Sequence, residues 1–349
     1  MKYTRRFLPE LPYHMVWLAT NGCNARCVHC SSDAARPWPD ELSTIEAKEM
    51  FDQFAAAGVF DVAVSGGEPL TRRDIFEVIE YATARGVRIG VGSNGSTITG
   101  ATVKRLRDCG VDRLQISIDG IEETHDRARR WPGLYRRATA AIATSIGMGL
   151  HTNVCFTAHR LNWRELEDAI EAAIGWGVSR FNLSRLVPVG RGDHALDLTP
   201  DEWRELILLF ESIRRARGSE IEFSTHLAQL VVLDETLDCR AGFIGCQAGF
   251  GQGCIDARGS VLPCVMLPII VGNLRVNDFT TIWRTSAVLE ALRDRTRLEG
   301  ACGACAFRDS CGGCRGVAYG YTGNYLGTDP RCWLVPHEEK GDSDERRSA

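Results

Sequence analysis

The chain has 349 residues, a formal net charge of -4 and 25% charged residues. That length suits one large domain or two ordinary ones with a full core, and the mildly acidic balance offers no basic footprint for nucleic acid or an anionic membrane. No apolar run is long enough to span a bilayer, and prolines and a glutamate interrupt the opening stretch MKYTRRFLPELPYHMVWLAT where a signal-peptide core would lie, so a cytoplasmic location is expected. From His14 to about His226 short apolar runs alternate with amphipathic ones. HMVWLAT reads as a strand and STIEAKEMFDQFAAAG as a helix, with a Ser43/Glu46 capping box and Gly58 as its stop. The pairs VFDVAVS and RRDIFEVIEYATARG, VRIGVGS and ATVKRLRDCG, DRLQISI and LYRRATAAIATSIGMG, and LHTNVCFT and NWRELEDAIEAAIGWG repeat the pattern. SRFNLSR then precedes TPDEWRELILLFESIRRARG, which opens on Thr199, Pro200 and Glu202.

Six strand–helix units imply an α/β fold with a parallel sheet and right-handed crossovers. Eight units close a barrel, so six predict an open, partial (β/α)6 barrel with its chemistry at the C-terminal ends of the strands. Every unusual loop in this half follows a strand: NGCNARCVHC, GGEP, SNGS, DGIEETHDRARRWPG and PVGRG. After about Thr225 glycine and cysteine become dense and helices short. GCIDARGSVLPC reads as a hairpin and FTTIWRTSAVLEALRDR as a helix, while CGACAFRDSCGGCRG is too rich in glycine and cysteine to pack without a metal. The expected organisation is a lead over 1–13, the partial barrel over 14–226, a small cysteine-rich domain over 227–335 and a disordered tail over 336–349.

Fourteen cysteines without a secretion signal point to metal or redox chemistry rather than disulfides. Cys109, Cys155 and Cys254 stand alone; the others form three groups: Cys23, Cys27 and Cys30; Cys239, Cys246 and Cys264; and Cys302, Cys305, Cys311, Cys314 and Cys332. The first group has the spacing C-x3-C-x2-C in one polar loop. Three thiolates suit an iron–sulfur cluster that keeps one iron free of protein ligands. A zinc ion held by three or four ligands, with His29 inside the motif, is the other reading, and spacing alone leaves both open.

The loop SGGEPL, Ser65 to Leu70, follows the next strand, and its two glycines let the backbone turn toward a ligand. A Gly-Gly-Glu-Pro loop one strand after such a thiol loop resembles the radical S-adenosylmethionine (radical SAM) superfamily. The resemblance implies that a 4Fe–4S cluster on Cys23, Cys27 and Cys30 binds S-adenosylmethionine at its open iron. Reductive cleavage of that cofactor would give a 5′-deoxyadenosyl radical that abstracts a substrate hydrogen atom. It further implies cofactor contacts from Gly66, Gly67, Glu68 and Pro69, with Glu68 taking the ammonium group. Ser93 and Asn94 in GSNG, and Ser117 and Asp119 in QISIDG, resemble further cofactor-contact positions, and Arg129 resembles the arginine that pairs with the methionine carboxylate. An external electron donor such as flavodoxin or ferredoxin is implied as a partner.

The run C-x2-C-x5-C-x2-C from Cys302 to Cys314, with Cys332 after it and Cys246 and GSVLPC before it, resembles the SPASM extension of radical SAM enzymes, which carries up to two further 4Fe–4S clusters. The stretch looks most like the alternative haem-synthesis branch and less closely like maturases of peptide-derived cofactors. By that analogy Cys302, Cys305, Cys311 and Cys332 hold an outer cluster. Cys246, Cys264 and Cys314 hold an inner one, with Cys239 as fourth ligand, while strand alternation lets Cys254 face the core. Zinc-ribbon-like sites are the alternative.

Three functions follow as expectations. The first is an enzyme that oxidatively modifies a C–H position, its auxiliary clusters accepting an electron. The second is a redox-neutral reaction such as epimerisation, with Cys155 returning a hydrogen atom; a buried cysteine otherwise just packs. The third is a zinc-stabilised binding protein without catalysis. With its first thiol at residue 23, the chain has no room for a peptide-recognition module ahead of it, so a peptide substrate is expected to need a separate carrier protein. A small biosynthetic intermediate such as a tetrapyrrole, sugar or aminocyclitol is the other substrate class.

Overall fold

The computed structural model describes residues 10–233 and 245–335; the tail expected to be disordered, the first nine residues and Cys239 lie outside the described residues. Seven strands stand parallel in chain order: β1 (His14–Leu18), β2 (Asp61–Ser65), β3 (Arg88–Ser93), β4 (Arg113–Ser117), β5 (Thr152–Ala158), β6 (Arg180–Arg185) and β7 (Glu222–Thr225). Alternate residues explain the layering. Met15 and Trp17, Val62 and Val64, Leu114 and Ile116, Val154 and Phe156, and Phe181 and Leu183 are all fully buried. They join one core with Phe51, Phe54, Ile79, Leu106, Ile142, Ile170, Leu206 and Phe210 from the helices. Each such side chain contributes roughly 1.5–3 kcal/mol on burial. Of the residues that face the other way, His14, Asp61, Arg113, Asn153 and Arg180 are polar and line the opening at the N-terminal ends of the strands.

The helices between strands are α1 (Thr44–Ala57), α2 (Ile75–Ala84), α3 (Gly100–Asp108), α4 (Glu123–Arg129), α5 (Leu134–Gly147), α6 (Leu166–Trp176) and α7 (Pro200–Arg217). The capping boxes read at Ser43/Glu46 and Thr199/Glu202 both form. Such caps satisfy backbone N–H groups that a helix start would otherwise leave unpaired. Two details depart from the sequence reading of this half. Glu123–Arg129, read as loop, is a short helix closed by Arg130 in the left-handed conformation at φ 52°. A seventh strand, Glu222–Thr225, follows α7; its partly exposed side chains lack the apolar alternation that would have marked it.

The sheet continues into the C-terminal part. β8 (Gln252–Ile255) pairs in parallel with β1, and β9 (Ser260–Leu262) and β10 (Gly272–Asn273) follow antiparallel, so ten strands form one sheet. The expected hairpin is the β8–β9 pair. The single helix expected over FTTIWRTSAVLEALRDR is two, Phe279–Thr285 and Ala287–Arg293. Ser286 separates them, because its hydroxyl caps the second helix by accepting the Leu289 N–H.

Candidate functional site

The loop after β1 is shaped by hydrogen bonds made within protein. Cys23 N–H donates to the Ala35 carbonyl and Ala35 N–H to the Asn21 carbonyl, while the Glu41 carboxylate accepts the Asn21 and Trp38 N–H groups. Neighbouring loops clamp it. Gly67 N–H donates to the Thr20 carbonyl and Glu68 N–H to the Gly22 carbonyl, both at 2.8 Å. Gly66 sits at φ 127°, and a Cβ on Gly67 would land on the Gly22 backbone, so the two glycines serve this close approach. Val28 N–H donates to Ala128, at the end of α4, and Arg191 N–H, from the loop after β6, donates to the Cys30 carbonyl.

These loops enclose a cavity of about 180 Å³. Of the residues singled out in the sequence, Cys23, Cys27, Cys30, Gly66, Gly67, Ser93, Asn94 and Arg129 line it; Glu68, Pro69, Ser117, Asp119 and Cys155 do not. Glu68 is fully buried instead, and its carboxylate accepts the Ser93 hydroxyl at 2.9 Å, the Asn94 N–H at 2.8 Å and the Leu70 N–H at 3.3 Å. It therefore braces the β2 and β3 loops, and burial raises its pKa. Asp119 is likewise buried and grips Arg129, accepting from Nε at 2.8 Å and Nη2 at 2.6 Å. Arg129 Nη1 then lies 3.8 Å from Cys27 Sγ. Despite its burial, Asp119 is held well below the usual carboxylate range by the charges of Arg129 and His29. Cys155 on β5 packs against Asn182, whose Nδ2 donates to its sulfur at 3.2 Å; Thr157, two residues on, reaches the cavity wall.

The C-terminal cysteines line two further cavities. Cys302, Cys305, Cys311 and Cys332 line one of about 260 Å³. Cys246, Cys264 and Cys314 line another of about 270 Å³. Gly312 and Gly313, at φ 69° and 61°, make the turn that sends Cys311 to one cavity and Cys314 to the other. Two successive left-handed residues of this kind favour glycine. Cys254 is fully buried; its strand neighbour Ile255 joins the main core, and Cys254 does not.

Several observations bear on what these thiols hold. Among the described residues no two cysteines form a disulfide. Backbone N–H groups two residues ahead point at the sulfurs of Cys23, Cys264, Cys305 and Cys311, each at 3.4 Å. Sulfur is the acceptor in each contact, and hydrogen bonds of this kind tune iron–sulfur sites. Burial pushes the Cys23 and Cys332 thiols up to about 11 and those of Cys264, Cys311 and Cys314 up to about 12. A bound metal cluster supplies the positive charge that turns such thiols into thiolate ligands. Among the described residues no three His, Cys, Asp or Glu side chains converge tightly enough for a single ion; the thiols line open spaces instead. The residues present fit an iron–sulfur cluster in each cavity.

Sequence reasoning passed over Arg185, Arg191, Thr157 and Met266, all on the first cavity's wall. Arg185 ends β6 and Thr157 lies near the end of β5, so the strand-end rule could have found both. His29, weighed as a zinc ligand, also lines the cavity; it lies 3.0 Å from Asp119 and packs against the His159 ring at 5.0 Å between centroids. Arg185, Val187 and Met266 line both the first cavity and that of Cys246, Cys264 and Cys314, so the two share a wall.

The sequence profile of the radical SAM superfamily matches residues 17–173, and that of the SPASM iron–sulfur cluster-binding domain matches residues 246–306. An AdoMet-dependent heme synthase of Methanosarcina barkeri is 34% identical over 94% of this chain and 98% of its own. The mycofactocin maturase MftC of Mycobacterium tuberculosis is 31% identical over 97% of this chain and 86% of its own. Among solved structures, Streptococcus suis SuiB bound to its precursor peptide SuiA shares the fold, with a TM-score of 0.79 and 16% identity over 94% of this chain and 77% of SuiB. No described helix is long and apolar enough to cross a membrane. The chain belongs to the radical SAM superfamily and carries a SPASM domain, an enzyme whose cofactors are S-adenosylmethionine and iron–sulfur clusters.

Proposed function

We propose that this enzyme oxidatively modifies a C–H position of a peptide or a small biosynthetic intermediate, with residues 14–226 as the radical SAM core and 227–335 as the auxiliary-cluster domain. Cys23, Cys27 and Cys30 would hold the first cluster. Gly66, Gly67, Ser93, Asn94 and Arg129 would line the S-adenosylmethionine site, with Glu68 and Asp119 setting their positions from behind. Cys302, Cys305, Cys311 and Cys332 would hold an outer cluster, and Cys246, Cys264 and Cys314 an inner one; the fourth inner ligand assigned to Cys239 falls outside the described residues. When bound, the first cluster and S-adenosylmethionine supply hydrogen-atom abstraction, driven by an electron from an external donor such as flavodoxin or ferredoxin.

The observation that carries this reading is the shared wall. Arg185, Val187 and Met266 separate the first cavity from the inner thiols by a single layer of side chains. A substrate at that wall meets hydrogen abstraction on one side and an electron acceptor on the other, as an oxidation requires. Cys155, the hydrogen donor a redox-neutral reaction would use, is absent from the cavity lining. The heme synthase likeness, spanning 98% of that protein, supports a tetrapyrrole-type intermediate, and the maturase likeness supports a peptide.

The test is anaerobic reconstitution. The reading expects about twelve irons per chain from three 4Fe–4S clusters, and deoxyadenosine formation with dithionite that Cys23→Ala, Cys27→Ala and Cys30→Ala each abolish. Iron near four per chain removes the auxiliary clusters, and wild-type deoxyadenosine production by any of the three variants overturns the assignment.

A further inference from the structure

Asp329 is fully buried and touches a residue from the lining of each of the three cavities. Its Oδ2 accepts three hydrogen bonds: from Arg185 Nη1 at 3.2 Å, Gln229 Nε2 at 2.9 Å and the Cys314 N–H at 3.0 Å. Its Oδ1 accepts the Arg331 N–H at 3.0 Å, and its own N–H donates to Cys302 Sγ at 3.3 Å. One residue therefore touches a thiol of the outer group, the backbone of a thiol of the inner group, and the arginine on the wall of the first cavity. Neither the sequence pattern nor the cysteine count drew attention to it.

A scaffold alone does not call for a charge here. Taking a carboxylate out of water is costly, and well-packed neutral groups often replace a buried ion pair without loss. The carboxylate belongs to a residue that contacts two of the thiol-bearing positions, Cys302 and Cys314. Its counter-charge is placed to one side: Arg185 is buried, stacks on the Trp203 ring at 4.8 Å, and approaches Asp197 at 3.9 Å.

We propose that the Asp329 carboxylate is a fixed buried charge that sets the reduction potential of the auxiliary iron–sulfur sites, with Arg185 as its counter-charge on the side facing the first cavity. This rests on the reading that the C-terminal thiols hold clusters. A negative charge disfavours adding an electron nearby and a positive one favours it, and screening is weak where water is excluded. Net charge and hydrogen bonds to sulfur are established levers on such potentials.

The experiment is an EPR-monitored redox titration of anaerobically reconstituted wild type, Asp329→Asn and Arg185→Gln, with iron and sulfide counted in each. Asp329→Asn is expected to raise an auxiliary midpoint potential by at least tenfold in the reduction equilibrium, about 59 mV for one electron. Arg185→Gln is expected to lower the inner potential. Unmoved potentials in a fully loaded Asp329→Asn protein overturn the proposal, as do shifts of the same sign in both variants. If Asp329→Asn fails to load, Arg185→Gln carries the test, and a potential that stays or rises overturns it. Variants that both fold without auxiliary iron would make the pair a scaffold and overturn it too. Wild type lacking auxiliary iron would instead defeat the reading of the C-terminal thiols as cluster ligands.

Discussion

Asp119→Asn tests how the protein holds Arg129 at the first cavity. The wild-type carboxylate has a partner on each oxygen. Oδ2 accepts Arg129 Nε and Nη2 and lies 3.0 Å from His29 Nε2, and Oδ1 accepts the Thr157 N–H at 2.8 Å. Asparagine keeps the shape but offers one acceptor oxygen. Turned toward Arg129, its amide group faces the Thr157 N–H; turned the other way, it faces the guanidinium. Either choice leaves a buried donor unpaired, worth about 1–3 kcal/mol, and breaking a buried ion pair from one side costs about 3–5 kcal/mol. The two penalties overlap, and the remaining oxygen recovers part of the loss, so about 3 kcal/mol is expected. Against a total of about 5–15 kcal/mol the variant still folds. Anaerobic urea denaturation of the iron-loaded protein, followed by tryptophan fluorescence, should show the midpoint falling by up to about 1 M. Calorimetry should show weaker S-adenosylmethionine binding, because Arg129 Nη1 no longer has a fixed approach to the cavity. A midpoint within about 0.3 M of wild type together with unchanged affinity would refute the argument.

Gly67→Ala places a methyl group on the Gly22 backbone and should separate the first two loops, costing about 1–3 kcal/mol and most of the deoxyadenosine yield; an active, equally stable variant contradicts the close approach. His125 and His159 are kept neutral by burial, with pKa values lowered to about 3. Below their unfolded value of about 6.5 the unfolded chain binds more protons, so stability should fall with pH by up to about 1.4 kcal/mol per unit for each, down to about pH 3. His125→Gln should flatten that slope in denaturation runs between pH 6.5 and 4, and an unchanged slope assigns the acid sensitivity elsewhere. Cys302→Ala combined with Cys305→Ala should spare cofactor cleavage and block product formation; wild-type turnover in that folded variant would make the outer thiols structural.

The β/α core was legible because each strand and helix carries its own local signal: alternate apolar residues, a capping box, a glycine stop. β7 was not, since EFST is short and only half-covered, and pairing with β6 rather than composition makes it a strand. The helix α4 was hidden in a run of charged residues, and docking of the Ala128 carbonyl on Val28 holds it in place. At the site, the thiols and glycines were readable because their chemistry is specific. Glu68 and Asp119, read as direct contacts, are fully buried and do not line the first cavity. Sequence names a residue type at a strand end but does not say which way its side chain turns. Arg185 and Asp329 escaped because an arginine and an aspartate have ordinary structural uses, and 144 positions separate the pair that meets at 3.2 Å.

The thiol groups differ in what shapes them. The first loop is tied by Glu41, Arg191 and the β2 loop, so its thiols are placed before any cluster arrives. It sits on the main core, where alternate residues of the strands beneath it are fully buried. The outer group has less behind it. Cys311 belongs to a small apolar cluster with Ala228 and Val231, and Cys302 is held by contacts to its sulfur from Asp329 N–H and from Arg315 Nη2 at 3.4 Å. Metal binding in such a segment is folding free energy. The first thiol loop is thus held by the barrel, whereas the outer thiols rest on a small apolar cluster and on the Asp329 and Arg315 contacts to Cys302, so ligand removal there should cost more folding free energy.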